Sequence, residues 1–131
     1  MTVYRERCRR AQQRLQALNI DALIVTPSSD LVYLTGHPSH LSERLTAFVV
    51  PADGKPLLLA PRLEAALAGD VASFVALHTW ADGDDPYALL VTLLPGARRR
   101  IAVSDQMWTV HMLRLQARLP GTQFVASSAL L

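Results

Sequence analysis

Apolar residues fall on two kinds of pattern along this chain. Near the start, Tyr4, Cys8, Ala11, Leu15 and Leu18 recur at spacings of four, three, four and three. That spacing puts them on one stripe of a helix. The arginines at 5, 7, 9, 10 and 14 mostly fall off the stripe and read as a solvated basic face. Asn19 suits the left-handed cap that ends such a helix, and Ile20 can pack back on its last turn. The second pattern is the short unbroken apolar run. Residues 22–25 form one, bounded by Pro27, Ser28, Ser29 and Asp30, and read as a buried strand. A Ser or Asp of that group can cap a short helix carrying Leu31, Val32 and Leu34. Gly36 ends it, because glycine accepts the left-handed conformation at little cost.

Runs 45–50 and 57–60 are joined by a turn containing Asp53-Gly54, the signal of an antiparallel hairpin. Pro61 suits the first position of a helix over 62–68, which Gly69 stops. Residues 73–77 predict a fourth strand, ending at His78-Thr79-Trp80. Asp85 caps and Pro86 starts a helix through Leu94. A short strand at 101–103 follows, then a helix over 106–119 capped by Ser104 or Asp105 and ended by Pro120-Gly121. Residues 123–125 form a last strand, and Ser127-Ser128 can cap an element the chain does not complete. Helices alternating with strands indicate an α/β domain, and the central hairpin makes its sheet mixed.

Composition narrows the class. A chain of 131 residues is one domain, 1–131, and folding buries roughly two-thirds of its unfolded surface. An apolar content of 50% excludes low-complexity disorder. No apolar run approaches the ~20 residues that span a bilayer. The arginine-interleaved N-terminus is not a signal peptide, and the single Cys8 cannot form an internal disulfide. A cytoplasmic protein is expected. Net charge is only +2, which does not point to nucleic acid. The weaker nucleic-acid reading rests on the first helix and on Arg98-Arg99-Arg100.

Motifs for a dinucleotide fold, a P-loop, a His-Glu-x-x-His metal site, Cys-x-x-Cys or a Gly-x-Ser-x-Gly nucleophile are absent. Cys8 sits on an apolar stripe, where a thiol behaves as a small hydrophobe. The polar loop 37–44, held between two core elements, is the stretch placed to carry function. Its His37 and His40 can hold part of a metal site, but zinc wants three or four ligands and the one acid nearby is Glu43. An ordinary exposed loop is the plain alternative. Glu43-Arg44 also reads as a local salt bridge worth under ~1 kcal/mol. His78 and Trp80 read as packing at a sheet edge, with a cleft-facing role as the alternative. His111 reads as a surface or satisfied core histidine. Asp82, Asp84 and Asp85 read as a turn and helix cap, because a calcium loop needs more oxygen ligands.

Several pieces carry a resemblance: Asp21-Ala22-Leu23-Ile24-Val25, Val32-Tyr33-Leu34-Thr35-Gly36, Glu43-Arg44-Leu45-Thr46-Ala47, Val50-Pro51-Ala52-Asp53-Gly54 and Pro61-Arg62-Leu63-Glu64. Together they resemble the N-terminal domain of the creatinase, prolidase and aminopeptidase P family, the pita-bread metallopeptidases, most like an Xaa-Pro dipeptidase. All lie in the first half of the chain; the second half agrees in the order of its elements. The resemblance implies a single three-layer domain of ribonuclease H-like type, with a mixed sheet of about five or six strands flanked by helices. It implies a homodimer in which this domain lies near the partner subunit's cleft. The loop residues His37, His40, Glu43 and Arg44 would restrict substrate there. Arg can bind a peptide carboxylate bidentately, and His can donate or accept near neutral pH.

The family's hydrolysis uses two divalent metal ions on a separate C-terminal domain, held by two aspartates, a histidine and two glutamates. Nothing in this sequence matches those motifs. The resemblance therefore implies a non-catalytic domain with no catalytic residue, metal or cofactor of its own. Its partners would be its own C-terminal catalytic domain and a second subunit, with neither nucleic acid nor membrane. A stand-alone small-molecule or protein-binding module on the same fold is the alternative.

Overall fold

A four-residue strand, β1 (Ala22–Val25), is the centre of the molecule, and all four of its residues are buried. In this computed structural model, which describes residues 2–37, 43–64 and 74–131, the strands lie in the order β4-β3-β2-β1-β5-β6. The others are β2 (Ala47–Pro51), β3 (Leu57–Pro61), β4 (Ala76–Trp80), β5 (Arg100–Val103) and β6 (Gln123–Ala126). β2 runs antiparallel to both its neighbours, β1 and β3. β5 is parallel to β1, β4 to β3 and β6 to β5. So β2 alone opposes the others, and the sheet is mixed as the Asp53-Gly54 hairpin required.

Strand side chains alternate between faces, and each face has its own helices. Leu23, Val25, Phe48, Val50 and Leu58 pack with Cys8, Ala11 and Leu15 of α1 (Thr2–Ala17) and with Leu31 and Leu34 of α2 (Ser29–Thr35). Ala22, Ile24, Val49, Leu59 and Ile101 pack with Tyr87 and Leu90 of α3 (Pro86–Leu93) and with Leu115 of α4 (Thr109–Arg118). The result is the three-layer α/β architecture expected.

The ends of α1 show why the apolar stripe stops where it does. Ile20 N–H donates to the Leu15 carbonyl at 2.9 Å and Asn19 N–H to that of Gln16 at 3.2 Å. Asn19 has a φ of 57°. This is the paired bonding of a left-handed cap, and it folds Ile20 into the core. Leu18, placed on the stripe by spacing, is instead 39% exposed, because the chain has begun to turn. The basic face is not wholly solvated either. Arg7 lies 4.3 Å over the Tyr33 ring and donates to the Tyr33 carbonyl. Gln12 donates to the carbonyls of Pro51 and Gly54, and Gln16 to that of Ala52, so α1 also holds the hairpin turn.

Three elements differ from the sequence reading. β4 starts at Ala76, where Ala76 N–H meets the Pro56 carbonyl at 2.9 Å; Phe74 and Val75 are buried ahead of it. Pro61 is the last residue of β3 and a 3-10 turn follows at 62–64; the expected helix to 68 and its stop at Gly69 otherwise lie outside the described residues. Helix α4 begins at Thr109, and neither Ser104 nor Asp105 caps it. Ser104 Oγ accepts from Thr26 N–H, and Asp105 Oδ1 accepts from Ser128 N–H and from the Ser127 hydroxyl. Both side chains tie strand ends together instead. Ser127 opens a closing 3-10 turn, Ser127–Ala129.

Candidate functional site

Because five strands share one direction, their carboxyl ends meet along one edge of the sheet. In open α/β sheets ligands bind at that edge. Segments 26–28, 62–64, 81–85 and 104–108 leave strands there, and 43–46 enters β2 there. The described end of the loop singled out by sequence, residues 43–44, therefore lies on the edge where such sheets bind ligands.

Its beginning is fixed by Gly36. Gly36 caps α2 with a φ of 73° and donates to the Val32 carbonyl. A Cβ at this position would stand 2.7 Å from the Tyr4 ring, so α1 closes over the cap. Thr35 Oγ1 donates back to the Leu31 carbonyl at 2.6 Å and accepts from His37 N–H at 3.0 Å. His37 is buried, with 8% of its surface exposed. It belongs to the base of the loop rather than its rim. His40 lies outside the described residues. Glu43 is exposed and Arg44 half-buried.

The end of the loop is fixed from β4. The Trp80 indole N–H donates to the Leu45 carbonyl at 2.8 Å, with both residues buried. Arg44 Nη2 meets Asp82 Oδ2 at 3.2 Å. Thr46 and Glu64 approach at 3.4 Å. Arg44, Arg62, Leu63, Trp80, Ala81 and Asp82 surround a cavity of about 200 Å³. Leu63 is 84% exposed and stands at its mouth. The arrangement offers two guanidinium groups and an apolar side chain around a small hollow, which suits a carboxylate-bearing ligand.

Asp82 and Trp80 are the residues that sequence reasoning missed as loop partners. They lie 38 and 35 positions away from Arg44 and Leu45, so no local signal relates them. The rest of the acidic turn is structural. Asp85 Oδ1 caps α3 by accepting from Tyr87 and Ala88 N–H, its other oxygen pairs with Arg118, and Asp84 accepts from Ala81 N–H. His78 is half-buried on β4. His111 is a satisfied core histidine: its Nδ1 lies 2.6 Å from the Tyr87 hydroxyl, and Trp108 stacks on its ring. Burial pushes the Cys8 thiol up to about 12, so it stays protonated and unreactive.

Among the described residues, no group of three or more His, Cys, Asp or Glu side chains could hold a metal ion. The described residues therefore offer no ligand set for two divalent ions. No described helix is long and apolar enough to cross a membrane.

The fold is a three-layer α/β domain built on a mixed six-stranded sheet. Residues 7–131 match the Creatinase/Prolidase N-terminal domain family, and the chain belongs to it. The match includes the second half of the chain, where the quoted motifs were silent. The chain is 40% identical over 131 residues to the probable dipeptidase PepE of Mycobacterium tuberculosis, covering 98% of this chain and 35% of that protein. Against the crystal structure of dipeptidase PepE from Mycobacterium ulcerans it gives a TM-score of 0.91 at 38% identity, covering 99% of this chain and 36% of that one. A Creatinase/Prolidase N-terminal domain of an X-Pro dipeptidase from Streptococcus pyogenes shares the fold, with a TM-score of 0.83 at 23% identity and 95% of each chain covered. The chain thus spans 35% of the length of the curated relatives it matches.

Proposed function

We propose that this chain is the non-catalytic N-terminal domain of a cytoplasmic, metal-dependent Xaa-Pro peptidase. It contributes to dimerisation and restricts substrate at the partner subunit's active site. The two divalent ions and the groups that hold them belong to a C-terminal catalytic domain outside residues 1–131. The observation that carries this reading is the carboxyl-end edge itself. There Arg44 is held by Asp82 and the loop base is held by Trp80, beside a small hollow with two guanidinium groups.

Dipeptidase relatives that are longer than this chain support the same assignment. So does a chemistry of the edge that binds and orients without supplying a nucleophile. Arg44, together with His40 and Glu43, would meet the free carboxylate of a short peptide seated in the facing cleft. A longer peptide would put its backbone against the same groups and be disfavoured.

The test uses the full-length peptidase. Arg44→Ala and His40→Ala should raise KM for Xaa-Pro dipeptides several-fold and narrow the preference for them over longer peptides, with metal content unchanged. Unaltered kinetics on both substrate lengths would refute the loop's role.

A further inference from the structure

We propose a second binding site, for a small polyanion bearing carboxylate or phosphate groups, at the opposite edge of the sheet. The cavity there lies at the amino ends of β1, β5 and β6 and measures about 840 Å³, within the range of small-molecule sites. Gln16, Asn19, Asp21, Arg99, Arg100 and Gln123 line it. Residues 98–100 are the basic run that stood out in the sequence and that the loop edge leaves unused.

Its walls hold more hydrogen-bond donors than acceptors. Arg100 Nη1 donates to the Leu18 carbonyl at 2.6 Å, but its Nε is buried with no acceptor. That Nε is closed off from the cavity, so the exposed Arg99 is the guanidinium a ligand meets first. The Arg99 guanidinium and the side-chain amides of Asn19 and Gln123 have no hydrogen-bond partner among the described residues. The one carboxylate, Asp21, has its Oδ2 taken by the backbone N–H groups of Arg99 and Arg100 at 2.8 and 3.1 Å. It fixes the arginine backbone rather than pairing with either guanidinium. Two guanidinium groups against one engaged carboxylate leave the cavity cationic. Guanidinium forks match carboxylate and phosphate oxygens, and the volume exceeds what a single inorganic ion fills.

The test titrates the isotope-labelled chain with citrate, with inorganic phosphate, and with sodium chloride at matched ionic strength, read by amide NMR. Saturating shifts centred on Asp21, Arg99 and Arg100 and on the Asn19 and Gln123 side chains are expected with at least one polyanion. Citrate alone saturating identifies a carboxylate ligand, and phosphate alone a phosphorylated one. Both saturating supports the shared chemistry. Arg99→Ala, an exposed change, should weaken binding about tenfold. Asn19→Gly, which tolerates the left-handed backbone, should weaken it less. Shifts that fail to saturate by about 20 mM, a range where only binding far weaker than millimolar goes unseen, would overturn the proposal. So would shifts that sodium chloride reproduces or that Arg99→Ala leaves unchanged.

Discussion

Trp80 and Leu45 are joined by a buried bond that crosses a whole strand. The indole N–H of β4 reaches the carbonyl just ahead of β2, at 2.8 Å, while β3 lies between those two strands. Leu45 directly follows the candidate loop, so this bond sets where the chain re-enters the fold. Trp80→Phe keeps most of the apolar bulk and leaves the Leu45 carbonyl buried without a donor. Stability should fall by about 1–3 kcal/mol, measured by urea unfolding. If the bond fixes the loop, the same change in the full-length peptidase should raise KM with little change in kcat.

The loop's other anchor predicts a different kind of cost. Gly36 combines a φ of 73° with a Cβ position 2.7 Å from the Tyr4 ring. Gly36→Ala should destabilise the domain by about 1–3 kcal/mol through backbone strain, with a further penalty from the ring. In a Tyr4→Ala background the ring part should vanish and the backbone part remain. Unfolding midpoints of the four proteins in this cycle separate the two. A full penalty that persists without Tyr4 would assign all of it to the backbone.

Asp105 makes the acid limb of stability testable. The Ser128 and Ser127 groups that donate to it hold its carboxyl below its ordinary value of 3.8. A depressed carboxylate favours the folded state above its unfolded pKa. That contribution is lost as pH falls below 3.8 through the lower folded value. Asp105→Asn should therefore flatten the decline in stability between mildly and strongly acidic solution. Urea unfolding at a pH above and a pH below that window measures it. An unchanged slope would show that the Ser127–Asp105 tie does not persist in solution.

These residues also show how far sequence could be read. Features with local causes were legible: the stripe of α1, the Asn19-Ile20 cap, the Asp53-Gly54 turn, and the Asp85-Pro86 helix start. Each depends on neighbours within a few positions. The start of β4 was not, because Phe74 and Val75 look like strand but the ladder with β3 sets the register from Leu57↔Ala76 onward. The cap assigned to Asp105 failed for the same reason. Its carboxylate is claimed by Ser128, a residue 23 positions away, which no local pattern reveals. At the candidate site the loop itself was visible between two apolar runs. The burial of His37 and the bond from Arg44 to Asp82 depend on which strands become neighbours, and so appear only in the folded chain.

The proposed division of labour is that this domain shapes and shields a pocket while a separate catalytic domain hydrolyses. The Streptococcus pyogenes domain, a chain of nearly the same extent, was solved by itself. The most direct measurement is proline release from an Xaa-Pro dipeptide by the purified chain, with manganese, cobalt or zinc added in turn. No release above the ion-matched blank is expected with any of them. Ion-dependent release that tracks the amount of folded chain would contradict that division of labour.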